Sequence, residues 1–211
     1  MTPIAHFELV WGRCEELSVL HRYIAGNVSS VLKPDELLRA EWVMRVSALD
    51  LYIHELVAQT MVEIFEGKRP TTPGYLKFQV SNETFERVRT AKNKSDALSA
   101  FDLEIRSQLT RITYQHPDNI AEGIRLCSVV ELWNELALNF GAINQNKSNE
   151  AKILKKALSL IVERRNKIAH EGDLKPVAPR ESWPISQVDL AYVKNKIEKI
   201  VRAIDSLLYP T

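Results

Sequence analysis

Along almost its whole length the chain repeats apolar residues every three or four positions. Nearly every segment is therefore expected to fold as a helix with one face to bury. Leu38, Trp42, Leu49, Tyr52 and Leu56 form one such stripe, interrupted by Arg45; Leu98, Phe101, Ile105, Leu109 and Ile112 form another. A third runs through Leu154, Leu158 and Ile161. Helices that each carry an apolar stripe must pack on one another, and the fold class that follows is all-α.

Capping and breaking residues divide this pattern. A first helix is expected over about 5–31, with Leu9, Leu17, Leu20 and Tyr23 among its apolar positions. A second begins after Pro34, which suits a first-turn position, and runs to about Phe65. The stretch 66–81 holds Gly67, Pro70, Pro73 and Gly74 and is the one long irregular loop; within it "YLKFQV" could form a short strand. Shorter helices are expected at 82–92 and 95–112, followed by a turn at 114–119. Ser128 and Glu131 have capping-box spacing ahead of a helix that Gly141 stops. Ser148 is expected to cap a helix over about 149–171, closed by Gly172, and Ser186 with Asp189 to open the last, 187–208. With no repeat or linker, residues 1–211 read as one helical domain of about five long helices and two or three short ones.

At 211 residues such a chain can bury a core without disulfides. Cys14 and Cys127 both fall inside helical patterns and read as small buried hydrophobes of an intracellular protein. No signal peptide is visible, and no stretch approaches the roughly 18–20 apolar residues of a membrane span, so the expected setting is the cytoplasm, away from any membrane. A formal net charge of +1 excludes binding of nucleic acid by bulk electrostatics; a polyanion would need a local basic patch.

"ERRNKIAHEGD" (163–173) supplies one. Continuing the three-to-four spacing past Ile161 lands on Arg165, an arginine where the stripe asks for a core residue. Asn166 and His170 are four apart and share a face. Arg165 and His170 are five apart, about 140° around a helix, so one helix cannot easily aim both at one atom, whereas a second copy facing the first could. Between Lys147 and Lys167 seven basic residues stand against two acidic ones. Lysines that hold phosphates, beside an imidazole that moves a proton, suit a phosphodiester substrate. The plainer reading is that cations near a helix C-terminus simply complement its dipole.

Arg165 to His170 resemble the R-N-x-x-x-H signature of the all-helical HEPN superfamily, and "LLRAEWVMRVSALDLYIHELV" (37–57) resembles the second long helix of its RiboL-PSP branch. The resemblance implies a HEPN-like bundle and a homodimer whose motif helices meet around a shared cleft. In active members that cleft is a metal-independent endoribonuclease: the ribose 2′-OH attacks the adjacent phosphate and leaves a 2′,3′-cyclic phosphate. His170 would then transfer the proton, Arg165 would stabilise transition-state charge, and Asn166 would orient His170 or the phosphate. Arg164 is the adjacent alternative to Arg165, and Arg164 and Lys167 would contact RNA. Such a protein could be a toxin or phage-defence effector silenced by an antitoxin or other regulatory partner. The other readings are a non-catalytic HEPN module that binds nucleotide or a protein such as a nucleotidyltransferase, and a plain helical interaction domain.

Arg45, Asp50 and His54 on the second helix could form a further polar wall to the cleft, although the plainer reading is that Asp50 pairs with His54 on a solvated face or fixes a helix–helix contact. Arg87, Arg89, Lys92 and Lys94 make a compact basic run that reads either as an RNA contact or as a solvated face. His6, His21 and His116 are isolated, so no metal site is arguable, and nothing calls for a cofactor. No Gly-rich phosphate loop is present, which argues against an NTPase.

Overall fold

In the computed structural model, which describes residues 1–28 and 33–210, one helix organises the rest. This is α2 (Asp35–Phe65), 31 residues and about 46 Å long. Its buried residues include Leu38, Trp42, Val46, Leu49, Tyr52, Ile53, Leu56, Val57 and Met61, which lie on more than one face. A helix apolar on several sides has to be surrounded, and α2 packs against five others. They are α1 (Pro3–Asn27), α5 (Lys94–Leu109), α6 (Pro117–Cys127), α8 (Lys147–Glu171) and α9 (Gln187–Leu208). Besides the eleven-residue α6 there are three other short helices, α3 (Pro73–Lys77), α4 (Asn82–Arg89) and α7 (Leu132–Asn139). The described residues thus hold five long helices and four short ones, with no strand beyond an isolated bridge between Leu174 and Ser182.

Several helix ends are where the sequence put them. Ser186 and Asp189 form the expected capping box: the Asp189 N–H donates to Ser186 Oγ at 3.3 Å and the Ser186 N–H to Asp189 Oδ2 at 2.9 Å. Gly172, at φ +64°, closes α8. The first helix, expected over 5–31, spans Pro3–Asn27 with Thr2 as its cap; of the remainder, 29–31 lie outside the described residues.

Others differ, each for a local reason. "YLKFQV" is no strand: Thr72 caps a helical turn opened by Pro73, and its hydroxyl accepts the Tyr75 N–H at 2.9 Å. Pro117 likewise opens α6, an eleven-residue helix not anticipated beyond the 114–119 turn. Ser128 then ends α6 instead of capping α7. Its N–H is taken by the Ile124 carbonyl at 2.8 Å, and Glu131 precedes α7 without a side-chain cap to its backbone. Ser148 lies inside α8, which begins two residues earlier than expected, after Asn146.

The buried face of α1 is also not the expected one. Phe7, Trp11, Cys14 and His21 are buried, whereas Leu9, Leu20 and Tyr23 are exposed. The face that wins is the one that Arg45 completes. This arginine is fully buried, lies 4.3 Å from the Trp11 ring centre, and donates to Glu41 (Nε, 2.7 Å) and Glu15 (2.8 Å). Cys14 and Cys127 are free buried thiols, and burial pushes their pKa values up to about 11 and about 12.

Close packing of α3 on α6 depends on Gly74. A Cβ there would sit 2.1 Å from the Arg125 carbonyl oxygen, a backbone atom that cannot swing aside, whereas a Cβ at Gly12 meets nothing within 4 Å. Gly74→Ala should therefore destabilise the fold by about 1–3 kcal/mol. Gly12→Ala, inside α1, should stabilise it by roughly 0.5–1 kcal/mol. Denaturant midpoints of the two variants check the contrast, and equal shifts would contradict the α3–α6 contact.

Candidate functional site

The motif occupies the last two turns of α8, and this end of the helix is fastened by buried polar contacts. Leu158, Ile161 and Val162 turn into the core. One turn before the motif, the Trp42 indole N–H donates to the Ile161 carbonyl at 3.0 Å and joins α8 to α2. The helix ends in a tight reversal. Gly172 and Asp173 both take positive φ (+64° and +56°), and the Asp173 N–H returns to the Lys167 carbonyl at 3.0 Å.

This reversal turns the Asp173 side chain inward, where it has no exposure at all. Two arginines meet it: Arg39 Nε from α2 at 3.0 Å and Arg164 Nη2 from α8 at 2.7 Å. Arg39 also donates to the Trp183 carbonyl at 2.7 Å, and Arg164 to the Pro184 carbonyl at 3.1 Å. The Trp183 N–H in turn donates to the Asp173 carbonyl at 2.8 Å. One buried carboxylate thus connects the start of α2, the end of α8 and the 174–186 connection. Charges at such depth persist only where they are paired and hydrogen-bonded.

Around this anchor the motif residues separate by direction. Arg165 and Asn166 are half-buried and in contact, with Arg165 Nη1 donating to Asn166 Oδ1 at 3.1 Å, while Arg165 Nε is buried without a hydrogen-bond partner among the described residues. His170 is exposed and, with Lys167, Leu174, Lys175, Arg180 and Trp183, lines an open groove of about 620 Å³. Asn166 is the residue between the two: it holds Arg165 and shares a face with His170, one turn away.

The remaining candidates lie elsewhere. Arg164 points inward to Asp173, so its charge anchors the helix end and is not presented to a substrate. Arg45 is enclosed between α1 and α2 by its two glutamates. Asp50 accepts the Tyr114 N–H at 2.5 Å and the Gln115 amide at 3.1 Å, which fixes the chain ahead of α6. His54 is 3.6 Å from Asp50 and edge-on to the Tyr114 ring. Because Arg39 and Trp42 mark the motif end of α2, Asp50 stands about 12 Å farther along the axis. These three residues do not wall the motif. Of the basic run 87–94, the α4 arginines are paired on their own helix, Arg87 with Glu83 and Arg89 with Glu86, and Lys94 at the start of α5 meets Glu66.

No local pattern in the sequence marks Arg39 and Asp173 as partners. Arg39 and Asp173 are 134 residues apart, and only the packing of α2 on the end of α8 brings them together.

The family profile described as RiboL-PSP-HEPN matches residues 12–209, from within α1 past the end of α9. The chain belongs to the RiboL-PSP HEPN family. No curated protein and no solved structure matches it. In this HEPN chain no helix among the described residues is long and apolar enough to cross a membrane.

Asp173→Asn keeps a side chain that tolerates positive φ but removes the charge from beneath two arginines. It should cost about 3 kcal/mol of stability. Asp173→Ala should cost more, because it adds backbone strain. Urea unfolding checks both, and a loss below about 0.5 kcal/mol, the level of an exposed pair, would contradict the anchoring role.

Proposed function

We propose that two copies of this HEPN chain pair through the outer face of α8 and form a metal-independent endoribonuclease site shared between them. One observation carries the reading: His170 is exposed at the fastened end of α8, one turn from an asparagine that holds Arg165. Membership of a family associated with RNase activity supports it. So does the outer face itself. Ile153 and Leu160 are 53% and 52% exposed and seven residues apart, in line with Lys167, as in a helix–helix seam.

In the proposed reaction the substrate's 2′-oxygen bonds to the neighbouring phosphorus as the bond from phosphorus to the 5′-oxygen breaks. The products are a 2′,3′-cyclic phosphate and a 5′-hydroxyl. His170 delivers a proton to the departing 5′-oxygen, while the 2′-hydroxyl proton passes to solvent. Arg165, held by Asn166, faces the charge that builds on the non-bridging oxygens, where a preoriented cation acts most strongly. Arg165 and His170 leave one helix about 140° apart, so the pair acting on a single phosphate comes from two helices.

Purified protein should cleave labelled RNA in EDTA, and His170→Ala should lower the rate by about 10²–10⁴-fold with the fold retained. Arg165→Ala and His170→Ala subunits, each inactive, should recover about one quarter of wild-type activity when mixed and re-equilibrated, because half the dimers then carry one intact site of two. No recovery in dimers shown to exchange would refute the shared cleft. RNA that is bound but never cut would instead make this a non-catalytic HEPN module.

A further inference from the structure

A second groove, of about 710 Å³, lies toward the other end of α8, between α3, α6 and α7. Four cations line it: Lys77 of α3, Arg125 of α6, and Lys152 and Lys155 of α8, against the single carboxylate of Glu131. Lys155 is shared with Asp118 at 2.6 Å, whereas Lys77, Arg125 and Lys152 have no carboxylate within 4.0 Å among the described residues. This is the reverse of α4, whose arginines are each paired with a glutamate of the same helix.

The groove is held in shape by backbone contacts. Thr72 Oγ1 donates to the Leu126 carbonyl at 2.7 Å, and Gly74 lets α3 sit directly on the Arg125 carbonyl, which sets Lys77 in the same groove as Arg125. On the opposite wall the Trp133 indole donates to the Pro117 carbonyl at 2.9 Å and fixes α7 against α6. Between them Ser128 is extended, and exposed Val129 follows it.

Position along α8 connects this groove with the motif. Lys152 and His170 are eighteen residues apart, about five turns, and therefore project from the same side of the helix about 27 Å from one another. The side between them carries Lys156, Ser159, Glu163 and Lys167, a polar strip with one carboxylate. A ligand that touches both ends must be long, extended and anionic.

We infer that the Lys77–Arg125–Lys152 groove is a second RNA-binding site, which holds the phosphates of the substrate strand upstream or downstream of the scissile bond. The inference rests on RNA being the substrate of the motif. A stacked strand covers about 27 Å in roughly eight nucleotides at 3.4 Å each, so the groove acts on longer RNAs and not on very short ones. No exposed aromatic ring lines it, so its contribution is to affinity, without preference for base.

The test uses the full-length protein and the double variant Arg125→Glu/Lys152→Glu, both positions being exposed. Binding is read by fluorescence anisotropy with 2′-O-methyl oligonucleotides, which lack the attacking hydroxyl. The 20-mer should bind at least 10-fold more weakly to the variant and with a salt slope reduced by about 1.4, while the 5-mer changes less than 2-fold. Arg87→Glu/Arg89→Glu, with the same change in net charge, should leave the 20-mer affinity within 2-fold. On cleavable RNA the groove variant should raise KM for the 20-mer and leave its kcat unchanged. Unaltered 20-mer affinity in a folded groove variant would overturn the inference, as would an equal loss in the α4 control. A wild-type protein that binds the 20-mer through this groove but never cuts RNA would keep the groove as an RNA-binding site but overturn its role beside a scissile bond, together with the catalytic reading.

Discussion

The buried carboxylate of Asp173 is the interaction on which the motif's geometry depends. A helix end leaves its last carbonyls unpaired and tends to fray, and a catalytic residue on a fraying turn would have no fixed direction. Here the final turn of α8 is closed by two left-handed residues, and the second carries the carboxylate that binds Arg164 back along the same helix and Arg39 across to α2. Two cations on one anion, together with the Trp183 and Pro184 carbonyls, leave little freedom in the arrangement. His170, three residues before Asp173, is therefore exposed just ahead of a chain reversal held by buried ion pairs.

The charge distribution follows the same logic. A formal net charge of +1 conceals basic residues with four different fates. Arg45 is sealed inside the fold by glutamates, the α4 arginines are matched on their own helix, and Arg39 and Arg164 serve the anchor. Lys167 and Arg180 beside His170, and Lys77, Arg125 and Lys152 in the distant groove, stand where a polyanion could reach them, whereas Lys175 is paired with Glu181. Counting cations along the sequence finds one basic stretch on α8; folding divides it between anchor, motif and groove.

What could be read from the sequence was what depends on local periodicity. The 3.6-residue stripes located the five long helices, and Gly172, Pro34 and the Ser186–Asp189 pair marked ends because their chemistry acts within one turn. Ser128 misled because a serine that ends one helix looks the same as one that opens the next; the decision lay in whether its N–H was already taken. The same ambiguity hid the turn at Pro73, which an alternating pattern made look extended. Arg165, Asn166 and His170 could be read as candidates from a motif, but the partners of Arg164, Arg45 and Asp50 could not. Their partners lie 9, 30 and 64 residues away in sequence, and only the packing of α2 brings most of them together.

Arg165 continues the stripe of Leu154, Leu158 and Ile161, and that position explains how an arginine can serve on a core-facing line. The side chain is half-buried, with Nε enclosed and Nη1 turned to the Asn166 amide oxygen. Left on the line of the stripe, it would face away from His170. The bond from Nη1 to Asn166 draws it around the helix toward the side that His170 occupies, and so covers part of the angle that the five-residue spacing imposes. The remaining angle is what one α8 cannot close. A second α8, approaching along the seam of Ile153 and Leu160, would bring the complementary residue from the other side, so the spacing that makes one helix insufficient is the spacing that suits two.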